Sequence, residues 1–441
     1  MATTQNVTML DIVSTRKSAH KPLSRTTQNM RRPSITIRTM SSPAAAQKTL
    51  NTAKTMQQTT TMLTPPSSPP RRVGSLGDLT VQYESLESLR SSLDHKRPPT
   101  YTDNGIMICP YEIDFVLDQD NRQQTFGRGA WSVVYKATCH APATSSYGLL
   151  TPPAGLPPAI PLFVAVKSPS NRAAISVLRS EAKLLSRLRE ADPTEDHVAA
   201  FHGIIEHTSS IVMSAYAISL EDLVRTKAKG FEDSMSAADR AAPVIGNATI
   251  WLDLAVKLVT TLEWMHDTAQ IVHGDIKPGN IVLRSTAGAD SEAFSYDPLF
   301  IDFSSSQRLD VNEVTENTLS AVTTVYTAPE LLTSAVMNNP KACATTASDV
   351  FSLAVTLLVA ATGDISVYPG VQQSQKLMYA MQGNLILSNI QVWSSRAPRH
   401  GIISQALERA VLKKDLGRIS AATWRVRLIE LKRDLAGQNK A

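Results

Sequence analysis

Val272-His273-Gly274-Asp275-Ile276-Lys277-Pro278-Gly279-Asn280-Ile281-Val282-Leu283 is the stretch on which the reading of this chain turns. Ahead of it, Leu254, Leu258, Leu262 and Met265 recur at helical spacing on one face, and Trp264-Met265-His266 closes that helix. Behind it, Ile281-Val282-Leu283 has the composition of a strand. The loop between them presents Asp275, Lys277 and Asn280 at spacings of two and three. Phosphoryl transfer to a hydroxyl needs these parts. A carboxylate accepts or orients the hydroxyl proton, a lysine steadies the transferred group, and an amide oxygen holds a metal. Any one of these residues alone reads as an ordinary solvated loop position; the ordered string does not.

The string resembles the catalytic loop of eukaryotic protein kinases, His-Arg-Asp-x-Lys-x-x-Asn, and further elements of that family follow in chain order. Thr125-Phe126-Gly127-Arg128-Gly129-Ala130-Trp131-Ser132-Val133-Val134-Tyr135-Lys136 resembles the glycine-rich loop over ATP phosphates, with Ser132 in place of the third glycine. Phe163-Val164-Ala165-Val166-Lys167 resembles the strand whose lysine pairs with the α- and β-phosphates. Glu181, in a helical stretch fourteen residues on, is the candidate partner of Lys167. Ile211-Val212-Met213-Ser214-Ala215-Tyr216 resembles the strand and hinge beside adenine, with Met213 at the gatekeeper position to within one residue. Leu299-Phe300-Ile301-Asp302-Phe303-Ser304 matches the metal-binding Asp-Phe-Gly, with serine for glycine. Thr323-Thr324-Val325-Tyr326-Thr327-Ala328-Pro329-Glu330 matches the segment ending in Ala-Pro-Glu. Asp349 falls where the family braces its catalytic loop, and Arg418 where an arginine pairs with Glu330.

The resemblance implies an α+β, bilobal protein kinase fold over residues 111–436. A small β-rich N-lobe covers about 111–215 and a larger helical C-lobe about 220–436. It implies ATP and Mg2+ as cofactors and a protein substrate bearing Ser or Thr. Asp275, Lys277, Lys167 and Glu181 are the implied catalytic set, and Asn280 and Asp302 the implied metal ligands. Gly127, Gly129, Val134, Ala165, Lys167 and Met213 are the implied ATP contacts. Lys277 and Thr323 together favour Ser/Thr over Tyr as the acceptor. Gly274 stands where the family has an arginine that commonly receives a phosphate on the activation loop, so activity is expected not to depend on that phosphorylation. The departures at Ser132, Gly274 and Ser304 keep a second reading open: a pseudokinase or scaffold that binds nucleotide or partners without efficient transfer.

Farther out, composition sets bounds. The chain has 441 residues, 42% hydrophobic and 19% charged, which excludes a wholly disordered protein. Three scattered cysteines exclude a disulfide scaffold and suit a cytoplasmic or nuclear protein. The net charge of +5 hides an asymmetry: residues 1–72 carry eleven Lys and Arg against Asp11 alone, while the rest carries 33 basic and 38 acidic side chains. The basic character therefore belongs to the tail, and nucleic-acid binding is not indicated for the folded part. Residues 1–105, rich in Ser, Thr, Pro and Gln, read as a disordered tail that could anchor to an acidic partner. Within it, Leu76, Leu79, Tyr83, Leu86 and Leu89 keep helical spacing, and Arg31-Arg32-Pro33-Ser34 and Arg71-Arg72-Val73-Gly74-Ser75 suit a kinase that reads basic residues. Thr64-Pro65 and Ser68-Pro69 suit a proline-directed one. The N-terminus lacks the pattern of a secretory leader, and the longest apolar run, Phe351–Ala361, is too short to span a bilayer. Residues 140–161 read as a long loop inside the domain, and 284–298 and 331–348 as insertions.

Overall fold

The structure, a computed structural model, describes residues 99–140, 162–232, 241–286, 294–310, 323–339 and 341–438. The tail apart from residues 99–105 lies outside the described residues. So do its leucine stretch, its serine and threonine motifs, the loop beyond His140, and parts of the segments 284–298 and 311–348.

The first lobe is an antiparallel sheet of β1 (Glu112–Phe115), β2 (Thr125–Arg128), β3 (Ser132–His140), β4 (Leu162–Pro169), β5 (Phe201–Ile205) and β6 (Ser210–Ser214). The order is β1-β3-β4-β6-β5, with β2 paired to β3. β-branched residues fill β3, β4 and β6, and the period of two splits their side chains between faces. Ala137, Cys139, Val164, Val166 and Val212 form one small core on one side. The other side belongs to the main core and carries α1 (Ala174–Ala191). The buried stripe of α1 runs through Leu178, Glu181, Ala182 and Leu185, so a glutamate sits where the pattern asks for an apolar residue.

Order begins earlier than the sequence reading placed it, near Tyr111. Ile106 and Met107 are buried, Met107 N–H donates to Ser186 Oγ at 2.9 Å, and Ile108 bridges Ile204 in parallel. Gly203, at φ +116°, permits this approach, because a Cβ there would collide with the Cys109 backbone. The apolar run Ile106-Met107-Ile108 is too short to signal a strand by periodicity, and only its tertiary partners order it.

The second lobe holds the other helices: α2 (Leu220–Glu232), α3 (Ala248–Glu263), α4 (Ser334–Met337), α5 (Thr346–Thr362), α6 (Gln373–Met381), α7 (Ile386–Trp393), α8 (Ile402–Leu407) and α9 (Ala421–Gln438). Asn247 caps α3 through Ile250 N–H, and Thr345 and Ser348 form a capping box at the start of α5. α5 is buried on all sides from Ser348 to Ala361, which is why its sequence is almost uniformly apolar. It is the axis on which the helical lobe packs, with the fully buried Trp251 Nε1–H donating to Leu357 O at 2.9 Å. Short strands β7 (Ile218–Ser219), β9 (Ile281–Ser285) and β10 (Tyr296–Phe300) form one ribbon, and β8 (Ile271–Val272) and β11 (Gln307–Arg308) another. These ribbons hold the loop 273–280 and the loop 301–306 side by side.

Candidate active site

Strand pleating builds the first half of the site. Val164 and Val166 point into the small core, so Ala165 and Lys167 project from the opposite face. Register sets Val134 opposite Lys167 and Met213 opposite Ala165. Residues directly opposite share a face, so Val134, Ala165, Lys167 and Met213 line one surface of the sheet. The short step from Pro169 to Ala174 then brings Glu181 over Lys167. Lys167 Nζ donates to Glu181 Oε1 and Oε2, each at 2.7 Å, and to Asp302 Oδ1 at 2.7 Å. Burial alone would push the Lys167 ammonium below its ordinary value, but the Asp302 and Glu181 carboxylates overcome it and hold it above. Burial raises the Glu181 carboxyl against the pull of Lys167. For Asp302, burial opposes the charged form, yet Lys167 and the Ser304 hydroxyl keep the carboxyl well below the usual carboxylate range.

The loop 273–280 is the second half. α5 supplies its brace: Asp349 Oδ2 accepts from His273 N–H at 2.7 Å and Oδ1 from Gly274 N–H at 3.0 Å. The His273 ring packs between Phe300 and Phe303, and its Nε2 lies 3.1 Å from Ile301 O. The braced loop presents Asp275, whose Oδ1 accepts from Thr323 N–H at 3.1 Å. Lys277 Nζ bridges Asp275 Oδ2 at 2.5 Å and Thr323 Oγ1 at 2.9 Å. Asn280 Nδ2 is spent on Asp275, at 2.8 Å to its carbonyl and 3.2 Å to Oδ2, so the side-chain oxygen is what Asn280 can offer a cation.

Gly274 is more than a missing arginine. It sits at φ +83°, and a Cβ there would collide with the Ser305 carbonyl oxygen. Ser306 Oγ–H donates to His273 O at 2.8 Å, so the serine run after Phe303 is clasped to the catalytic loop at two adjacent points. The residue type at 274 is therefore dictated by this close approach.

The glycine-rich segment shows a different use of small residues. A Cβ at Gly127 would meet nothing within 4 Å, and one at Gly129 would meet only Ser132, at ordinary contact distance. The protein's own packing does not require glycine at either position, which leaves room for a ligand against this backbone. Gly129 N–H donates to Ser132 O at 2.8 Å to form the turn, and Ser132 itself is buried at the start of β3.

The donor set fits a magnesium–nucleotide complex. Asp302 and Asn280 offer hard oxygens from two adjacent loops, Lys167 and Lys277 offer ammonium groups, and the glycine turn leaves room for phosphate against its backbone. Among the described residues no group of three or more His, Cys, Asp and Glu gathers into a metal cage.

The motifs carry no sign of the bond that joins Lys167 to Asp302 or of a role for the hydroxyls of Ser304 and Ser306. Ser304 Oγ–H donates to Asp302 Oδ1 at 2.7 Å. The spacing Asp-x-Ser, a frequent side-chain turn, was the available signal. A protein-family model described as a protein kinase domain matches residues 162–415, a span that opens at β4 and holds Lys167, Glu181 and the loops 273–280 and 301–306, while Val134 and the glycine-rich segment precede it. No curated protein matches the chain.

Proposed function

The chain belongs to the protein kinase family, and on that premise we propose that it is an active, ATP- and Mg2+-dependent kinase that phosphorylates serine and threonine on proteins. The observation that carries the reading is the cluster in which Lys277 Nζ holds both Asp275 Oδ2 and Thr323 Oγ1. It places a carboxylate, a cation and a hydroxyl at one point, fixed by the buried Asp349.

In this proposal Asp275 accepts the proton of the substrate hydroxyl as its oxygen attacks the γ-phosphorus, the bond from that phosphorus to the β–γ bridging oxygen breaks, and ADP leaves. Lys277 stabilises charge on the transferred group. Lys167, oriented by Glu181, binds the α- and β-phosphates, and Gly127 and Gly129 leave room for them against the backbone of the turn. Val134, Ala165 and Met213 line the sheet face against which a flat adenine ring can lie. Asn280 and Asp302 hold Mg2+, which when bound neutralises charge on the phosphates. Every group the transfer needs is retained, which favours catalysis over the scaffold reading. The preference for Ser and Thr rests on Lys277 and Thr323.

The test is phosphate incorporation from Mg-ATP into a mixed Ser/Thr peptide pool by purified protein, with Asp275→Asn and Asp302→Ala beside it. Asp275→Asn is expected to lose about 10²–10⁴-fold in rate, the range typical of a lost general base, with unaltered nucleotide binding. A folded wild type that binds nucleotide yet transfers nothing would establish the scaffold reading instead.

A further inference from the structure

We propose that Ser304 is a positioning residue that fixes the Asp302 carboxylate in its cation-binding orientation; this rests on the kinase reading above. Three hydrogen bonds reach this carboxylate from described residues, and all three converge on Oδ1. They come from Lys167 Nζ at 2.7 Å, Ser304 Oγ at 2.7 Å and Ser304 N at 3.4 Å. Oδ2 is left uncommitted on a side chain that is 35% exposed.

The backbone points the same way. Asp302 takes the left-handed conformation, φ +65°, while Ser304 is not among the residues at positive φ. Strain is therefore carried by the aspartate, and position 304 has no conformational need for glycine. A glycine there would supply only the weaker backbone donor at 3.4 Å.

The hydroxyl matters because Lys167 has divided obligations. Its ammonium is shared between Glu181 and Asp302, and a nucleotide phosphate would compete for it. As Lys167 turns toward phosphate its hold on Asp302 weakens. Ser304 Oγ–H then remains as the side-chain donor that keeps Oδ1 satisfied and Oδ2 presented. A hydroxyl donating to a carboxylate is among the stronger hydrogen bonds and is directional.

The experiment is a Mg2+ titration of a fluorescent ADP analogue binding to full-length protein, with peptide phosphorylation measured in parallel. The variants are Ser304→Ala, Ser304→Gly and Ser304→Thr, each checked by its thermal melt. Ala and Gly are expected to raise the Mg2+ midpoint of binding about tenfold, as loss of a charge-assisted hydrogen bond predicts. Ser304→Thr retains the hydroxyl and is expected to restore the wild-type midpoint, and KM for peptide is expected to be the same in all four proteins. A wild-type midpoint in both Ala and Gly, or a Thr variant that behaves like Ala, overturns the proposal. A wild type whose nucleotide binding ignores Mg2+ also overturns the proposal, whereas a wild type that transfers no phosphate at any Mg2+ concentration overturns the kinase reading itself.

Discussion

Two close ion pairs built on buried cations do opposite work in this molecule. Arg418 meets Glu330 through two parallel bonds, Nη1–Oε1 at 2.5 Å and Nη2–Oε2 at 2.6 Å. Two further donors go to Leu412 O at 2.8 Å and Ala347 O at 3.1 Å, and the guanidinium packs over Phe351 with its carbon 5.1 Å from the ring centroid. Lys167 meets Glu181 just as closely, but its single ammonium is divided between that residue and Asp302, which faces the second lobe's loop. A planar fork with every nitrogen bonded to protein is a fastener. A point charge shared between two carboxylates can be redistributed when an anion arrives. What separates structure from chemistry here is how many alternative partners the cation has.

The sharpest way to break this comparison is to remove each cation in turn. Arg418→Leu leaves a carboxylate without its partner and is expected to cost about 3–5 kcal/mol of stability. Urea denaturation measures it, and whatever protein remains folded should keep its KM for ATP. Lys167→Met is expected to show the reverse emphasis, with transfer falling about 100-fold because the phosphates lose their orienting charge.

Lys167→Met also carries a pH signature. Glu181 is already raised by burial against the pull of Lys167, and losing that lysine raises it further. A carboxyl raised in the folded state contributes stability below its unfolded value that is lost as pH rises through the folded one. The variant's stability deficit against wild type should therefore be larger at pH 8 than at pH 5. Thermal melts at the two values measure it, and an equal deficit would mean that Glu181 does not carry the unpaired charge.

A smaller effect tests the region where the loops touch. Gly274→Ala forces a Cβ into the left-handed region, worth about 1–2 kcal/mol, and against the Ser305 carbonyl. Activity is expected to fall along with the melting temperature, because the displaced loop carries Asp275. Least of all should change on phosphatase treatment of the purified enzyme. With no arginine at 274 to receive an activation-loop phosphate, activity is expected to stay within about twofold of untreated protein. Complete loss would show that a phosphate acts through some other cation.

Much of the site can be read from the chain because its chemistry is written locally. Asp275, Lys277 and Asn280 lie within six residues, and a single loop sets their spacing. Asp349 was legible as a brace only through resemblance; its reason is physical, two backbone N–H groups that need an acceptor in the core. Glu181 was harder still. The sequence offers it as the candidate partner of Lys167 and, equally, as one more surface helix glutamate, and the buried stripe of α1 shows that it points inward. The start of the fold was misjudged for a related reason, since Ile106 and Met107 gain their burial from residues some eighty to a hundred positions away.

The sequence by itself determined the order of elements, which residue types and short-range periodicity carry, and it placed the candidate reacting groups through their resemblance to the motifs of one family. The tertiary structure alone decided that Lys167 reaches across 135 positions to Asp302, that Gly274 is required by the Ser305 carbonyl, and that Ser304 turns its hydroxyl onto Oδ1 rather than to solvent. Each of these depends on the distance between backbones brought together by the core, a quantity no spacing along the chain encodes.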